Sequence, residues 1–391
     1  MIKELVQDFK SLFNYSGTVE VFFSPGRVNL IGEHTDYNGG FVFPCALDFG
    51  TYAVVKKRDD KVFRMYSKNF EKLGIKEFSL DELVNIPSDD WANYPKGVIK
   101  TFIDAGYSID KGFDVLFFGN IPNGAGLSSS ASIELLTSVV LKELFNLNLD
   151  TVEMVKLSQK AENNFIGVNC GIMDQFAIGM GKKDNAILLD CSTLEYHYAP
   201  IKLNGASIVI ANTNKKRGLA DSKYNERRNS CEAAVKILNE NKINIKNLGE
   251  LSVEKFDEVK HFITDNEQLK RATHAVTENE RTKKAVEKLN SGDIEAFGKL
   301  MNQSHISLRD DYEVTGFELD SLVEASWEAK GTIGARMTGA GFGGCTVSIV
   351  QDQYVQDFIQ SVGEKYKAKT GLVADFYVAK IGDGSRKLGD F

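Results

Sequence analysis

At 391 residues, 42% hydrophobic and 26% charged, the chain has the composition of an ordinary globular protein and is long enough for two cores of roughly 200 residues each. A formal net charge of −7 excludes a general nucleic-acid binder, because no basic surplus exists to neutralise a phosphate backbone; a small anion could still be bound locally. The five cysteines, at 45, 170, 191, 231 and 345, contain no Cys-x-x-Cys pair and fit reduced cytoplasmic thiols better than a disulfide framework.

Residues 1–10 read as an amphipathic helix with both charge signs, unlike a signal peptide. No uninterrupted apolar run reaches the roughly 20 residues needed to cross a bilayer, so the expectation is a cytoplasmic protein without a membrane partner. A strand over 18–23 leads into a polar stretch, 24–40, that reads as a loop. Arg27, Glu33, His34 and Asp36 place a cation, two carboxylates and an imidazole there, with the amides of Asn29 and Asn38 and four glycines. Such a density of fixed acceptors suits a polyhydroxylated ligand. Strands follow over 41–55 and 62–67. Trp91 and Tyr94 then precede a helix over 98–105, where they could wall a purine pocket or simply pack in the core.

The next segment organises the chain. A strand over 113–118 runs into a turn holding Gly124 and Gly126, then Ser128, Ser129 and Ser130, and then an apolar helix over 133–144. Glycines let the main chain approach a ligand, and free N–H groups at a helix start favour an anion, so the corner suits phosphate, although an ordinary helix cap would look similar. It is neither Gly-x-x-x-x-Gly-Lys-Ser/Thr nor Gly-x-Gly-x-x-Gly. A helical pattern over 152–166 carries Glu162. Asp174 lies between glycine turns and the apolar stretch 176–180, where either a helix cap or chemistry would account for it.

From about residue 205 the pattern changes to a strand over 206–211 and helices near 219–239, 251–263, 266–289, 293–304 and 316–330. Two domains are expected, 1–200 and 201–391. Their boundary is soft because a C-terminal strand could return to the first. The charged stretch 221–228, which includes Tyr224, reads as a solvated helix face. A third glycine-rich stretch, 335–345, has glycines at 339, 341, 343 and 344 and precedes a strand over 346–350.

Together the three glycine-rich stretches resemble the motifs of the GHMP kinases, and residues 26–38 and 170–175 resemble the galactokinase branch of that family. The resemblance runs essentially end to end. It implies an α+β, two-domain GHMP kinase fold, with a ribosomal protein S5 domain 2-like N-terminal domain, a ferredoxin-like C-terminal domain and the active site between them. It implies transfer of a phosphoryl group from ATP to the C1 hydroxyl of α-D-galactose, with Mg²⁺. By motif match, Gly124, Ala125, Gly126, Leu127, Ser128, Ser129 and Ser130 would cradle the nucleotide phosphates, and Ser130 and Glu162 would hold the metal. Ser67, Trp91 and Tyr94 would line the nucleotide pocket. Glu33, His34, Thr35, Asp36, Gly171, Asp174 and Tyr224 would hold the sugar, and 338–344 would support the phosphate loop.

The resemblance makes Asp174 the acceptor of the C1 proton, with Arg27 beside it and the transferring group. A neighbouring guanidinium lowers a carboxyl's pKa, so the expected role of Asp174 is orientation with late proton acceptance. Partners are expected to be small molecules only, galactose and ATP, in a monomer. Alternatives of the same chemistry are 1-kinases of N-acetylgalactosamine, arabinose or a galacturonate; a galactose and ATP sensor without turnover would be of a different class.

Overall fold

The computed structural model describes residues 1–122, 126–215 and 220–391. Gly124 and Ala125, expected in the phosphate loop, lie outside the described residues. The chain opens with α1 (Ile2–Phe13), whose Leu5, Val6, Phe9 and Phe13 recur at helical spacing and bury one face. There follow β1 (Glu20–Asn29), β2 (Phe41–Val42), β3 (Pro44–Lys57), β4 (Val62–Ser67), β5 (Lys76–Ser79), α2 (Asn93–Asp104), β6 (Phe113–Gly119), α3 (Ser129–Leu144), α4 (Thr151–Ala161), α5 (Met173–Met180), β7 (Asn185–Asp190) and β8 (Tyr196–Pro200). The remainder comprises β9 (Ala206–Asn212), α6 (Ala220–Glu240), α7 (Val253–Val259), α8 (Asn266–Asn290), α9 (Ile294–Asp310), α10 (Gly316–Glu328), β10 (Thr332–Thr338), β11 (Cys345–Gln351), α11 (Val355–Thr370), β12 (Asp375–Ala379) and β13 (Arg386–Asp390).

A six-stranded sheet in the order β13-β1-β3-β6-β4-β5 is covered on both faces. The alternation along β3 shows how: Ala53 and Val55 join the large core under α2, α3 and α4, while Val54, between them, faces Phe9 and Phe13 of α1. Strands β10-β11-β9-β12 form a second, antiparallel sheet, the ferredoxin-like order for a β-α-β-β-α-β unit. One further core joins the two, with Val28, Leu30 and Phe43 packed in the same cluster as Ile208, Ile210, Val347 and Ile349. The polar segment after β1 is held in this seam.

Three features differ from the expectations. Residues 24–29 continue β1 rather than forming a loop; pairing with β3 satisfies their main chain, and a register shift between Pro25 and Arg27 redirects the strand. Residues 335–338, read as the start of the third glycine-rich stretch, belong to β10, and α3 starts at Ser129 rather than after the serines. Strands β5 and β8, helix α11 and strand β12 were not anticipated. A C-terminal strand does return to the first sheet, since β13 pairs with β1 from Glu20 opposite Asp390 to Phe23 opposite Arg386. Among the described residues, no helix is long and apolar enough to cross a membrane.

Candidate active site

Arg27 stands at the redirected end of β1, only 4% exposed. Its Nε and Nη2 donate to the two oxygens of Asp174 at 2.7 and 2.8 Å, and its Nη1 donates to the Gly126 carbonyl at 2.8 Å. One guanidinium thus ties the glycine turn to the carboxylate. Burial alone would lower the Arg27 pKa, but the charges of Asp174 and Glu33 override it and the pKa is raised. Gly26 allows the close approach, because a Cβ there would meet the Leu127 carbonyl at 3.0 Å.

Asp174 lies in the first turn of α5, where the helix dipole favours its charge. Its side chain is 30% exposed. Ser128, in a left-handed conformation with φ 61°, donates its hydroxyl to the same carboxylate instead of capping α3. Asp174 therefore accepts three directed hydrogen bonds while one edge stays open to a cavity.

That cavity, about 350 Å³, is lined by Arg27, Glu33, His34, Asp36, Gly171, Asp174 and Tyr224 among others. Glu33 is buried and rigidly held: Asn29 donates to one oxygen at 2.8 Å, while Gly339 N–H at 2.7 Å and the Thr338 hydroxyl at 3.1 Å donate to the other. Gly171 is required sterically, since a Cβ there would sit 1.8 Å from an Asp36 carboxylate oxygen. Burial, and secondarily the charge of Asp174, pushes the Asp36 carboxyl up to about 6. His34 sits at φ 63° and is held neutral, its pKa pushed down to about 3 by burial and by His274. Tyr224 on α6 closes one side, its ring 5.6 Å from that of His34.

Thr35 does not join them. Its side chain is fully buried and its hydroxyl lies 2.9 and 2.7 Å from the Gly32 and Phe41 carbonyls, so it shapes the turn rather than lining the cavity. The third glycine-rich stretch lies against the glycine turn, because a Cβ on Gly339 would stand 3.1 Å from the Gly126 carbonyl.

A second cavity, about 480 Å³, opens beside the first and shares Ile166 with it. Ser67, Trp91, Tyr94, Ser129 and Ser130 line it. So does Phe70, 41% exposed, whose ring lies nearly parallel to Trp91 with centroids 6.5 Å apart. The sequence offered no signal for Phe70, as one aromatic in a polar turn is unremarkable. Asn69 fixes that turn by pairing with Gly119, donating to its carbonyl at 2.8 Å and accepting from its N–H at 2.7 Å.

Glu162 and Ser130 meet where the two cavities adjoin, the serine hydroxyl bonding the carboxylate. Gln175 Nε2 holds Glu162 from behind at 2.6 Å and also reaches the buried Glu134 at 3.0 Å. Burial and the charge of Asp174 raise the Glu162 pKa, a penalty that a cation would reverse. One carboxylate and one hydroxyl at the border of the two cavities fit Mg²⁺, which keeps most of its shell as water and phosphate oxygens.

Three family models match the chain: the galactokinase galactose-binding signature over 7–57, the GHMP kinases N terminal domain over 93–182 and the GHMP kinases C terminal over 285–368. A galactokinase of Fusobacterium nucleatum is 76% identical over 388 residues, covering 99% of this chain and 100% of that protein. The chain belongs to the galactokinase family. A second galactokinase, from Bacillus subtilis, is 58% identical over 99% of both chains. The likeness extends to coordinates, with a TM-score of 0.97 at 52% identity to the crystal structure of Lactococcus lactis galactokinase complexed with galactose, over 99% of this chain and 100% of that one. A mevalonate kinase, 19% identical with a TM-score of 0.63 over 92% of this chain and 98% of its own, shares the fold. The galactokinase signature spans β1 to β3 and so includes Arg27, Glu33, His34 and Asp36, while the N terminal domain model carries the serine turn, Glu162 and Asp174.

Proposed function

We propose that this galactokinase transfers the γ-phosphoryl group of ATP to the anomeric C1 hydroxyl of α-D-galactose, giving α-D-galactose 1-phosphate and ADP. The observation that carries the reading is the Arg27 guanidinium, bonded at once to Asp174 in the sugar-sized cavity and to the Gly126 carbonyl of the glycine turn. A nucleophile in one cavity and a phosphate chain in the other would meet at that point.

Galactose lies in the cavity of Glu33, His34, Asp36 and Tyr224, with its C1 hydroxyl toward the open edge of Asp174. ATP places its base between Trp91, Tyr94 and Ser67, and its phosphates along Gly126 to Ser130. Three hydrogen bonds fix the Asp174 carboxylate, so it orients the hydroxyl, and because the transition state of phosphoryl transfer is loose it takes the proton late, once the oxygen has bonded to phosphorus. Arg27 neutralises charge developing on the transferring group. Ser130 and Glu162 would hold Mg²⁺, which would supply positive charge to the phosphate oxygens.

ADP release from Mg-ATP is measured with D-galactose, D-glucose, N-acetylgalactosamine and L-arabinose in parallel. Turnover with galactose is expected, and Asp174→Ala should lower kcat by about 10²-fold or more with far less effect on ATP binding. Glucose, whose equatorial C4 hydroxyl would leave buried acceptors unpaired, is expected to be rejected. Preference for another sugar would move the substrate assignment, and galactose binding without turnover would overturn the kinase reading.

A further inference from the structure

Behind the sugar cavity runs a buried line of polar atoms drawn from three distant segments. His34 Nδ1 lies 2.8 Å from the Tyr37 hydroxyl, which lies 2.7 Å from the Tyr312 hydroxyl, which lies 3.3 Å from the Cys231 thiol. Tyr312 and Cys231 are almost wholly inaccessible. At the other end, His34 Nε2 is buried, lines the cavity and makes no hydrogen bond among the described residues. Because His34 is neutral, only one of its nitrogens carries a proton, and the line determines which.

We propose that Tyr37 and Tyr312 are positioning residues for the sugar: the line of hydrogen bonds donates toward His34 Nδ1, so that His34 offers the sugar an Nε2–H donor. The inference rests on the reading of this cavity as the sugar site, and two arguments fix the direction.

The first is donor and acceptor strength. A neutral imidazole nitrogen is the best acceptor in the line, and a phenol is a good donor to it. A thiol is a weak acceptor, so the line is stronger when the sulfur end donates and the imidazole end accepts. With that polarity the protons of Cys231, Tyr312 and Tyr37 make the three bonds and the imidazole proton is left over at Nε2. The opposite polarity ends the line on sulfur, its weakest acceptor, and leaves the imidazole lone pair at Nε2.

The second argument is the field. Glu33, Asp36 and Asp174 make the cavity rich in acceptors, which favours an N–H over a lone pair facing it. The carboxylates can only accept from sugar hydroxyls, so an Nε2–H gives the cavity a neutral donor. A sugar oxygen held there has to accept from His34 while its own hydrogen goes elsewhere, a condition on the direction of a hydroxyl and not merely on its presence.

The protein has five histidines, so the tautomer can be read directly by two-bond ¹H–¹⁵N correlation on protein labelled with ¹⁵N-histidine, without sugar or nucleotide. His34 is assigned by the signals lost in His34→Gln, or by elimination with His274→Gln and His305→Gln. The expected pattern is a protonated Nε2 and an unprotonated Nδ1. Protonated Nδ1 with bare Nε2 would overturn the proposal, whatever the enzyme phosphorylates. As a functional counterpart, Tyr37→Phe removes the donor and should raise KM for galactose about tenfold with a much smaller change in kcat, leaving KM for ATP unaltered. An equal loss in kcat, or a matching change in KM for ATP, would mean a general structural role and would also overturn it. Tyr312→Phe, one bond further back, should act in the same direction and more weakly; a larger effect than that of Tyr37→Phe would contradict the relay.

Discussion

Asp36 shows how burial sets chemistry at a single residue. Its carboxyl, lifted to about 6 by desolvation and by Asp174, is ionised at neutral pH but takes a proton just below it. Galactose hydroxyls donate to the ionised form, so KM for galactose should rise as pH falls from 7 to 5, with the inflection near 6, and Asp36→Asn should abolish that inflection. A KM flat across this range would show that Asp36 does not bind sugar through its charge. The sign for stability is the reverse: the folded state binds this proton more tightly than the unfolded chain does, so the contribution of Asp36 to stability falls as pH rises from about 4 to 6. The sequence made Asp36, Glu33 and His34 legible as polar groups packed between glycines. It could not show that Thr35 turns inward, because a threonine reads the same whether its hydroxyl meets ligand or main chain. Gly171 was likewise visible as a turn glycine, but the clash that demands it, with Asp36 more than a hundred positions earlier, exists only in three dimensions.

Periodicity identified most strands and helices. It failed where function disturbs the pattern. Glycines and a proline made 24–29 look like a loop, although they belong to a bulged strand whose pairing with β3 continues on either side of the shift. The serines before 133 looked like a cap, whereas three of them lie within α3 and Ser128 turns to Asp174. The short turn between β4 and β5 gave no signal at all, yet it carries Phe70 opposite Trp91. Asn69 fixes that turn to the end of β6, so Asn69→Ala should loosen the aromatic pair and raise KM for ATP several-fold, up to about tenfold, while KM for galactose stays unchanged. Equal changes in both constants would place the fault in folding rather than in the nucleotide cavity.

For the whole molecule, the two sheets and the core that joins them explain why the site is rigid: Glu33 takes its partners from β1 and from the end of β10, so the seam itself is part of the site. That joining was only partly legible, since apolar residues at 28–31 and 345–349 could be assigned to strands but not to each other. The return of β13 to β1 adds a covalent path back across the seam. Ser24 and Ser385 share a hydrogen bond of 2.7 Å across a sequence separation of 361 residues. Removing residues 386–391 should therefore lower Tm by roughly 5–10 °C and blunt the cooperativity of unfolding, measured by calorimetry. An unchanged Tm would mean that β13 merely rests on the sheet.

The same pairing imposes an order in time. A ribosome makes β13 after all twelve other strands, so until then the first strand of the sugar site has an uncovered edge, available to any other nascent chain nearby. The enzyme closes an early strand with a late one, and a polypeptide interrupted short of Arg386 would carry nearly all of the site on a sheet still open to aggregation.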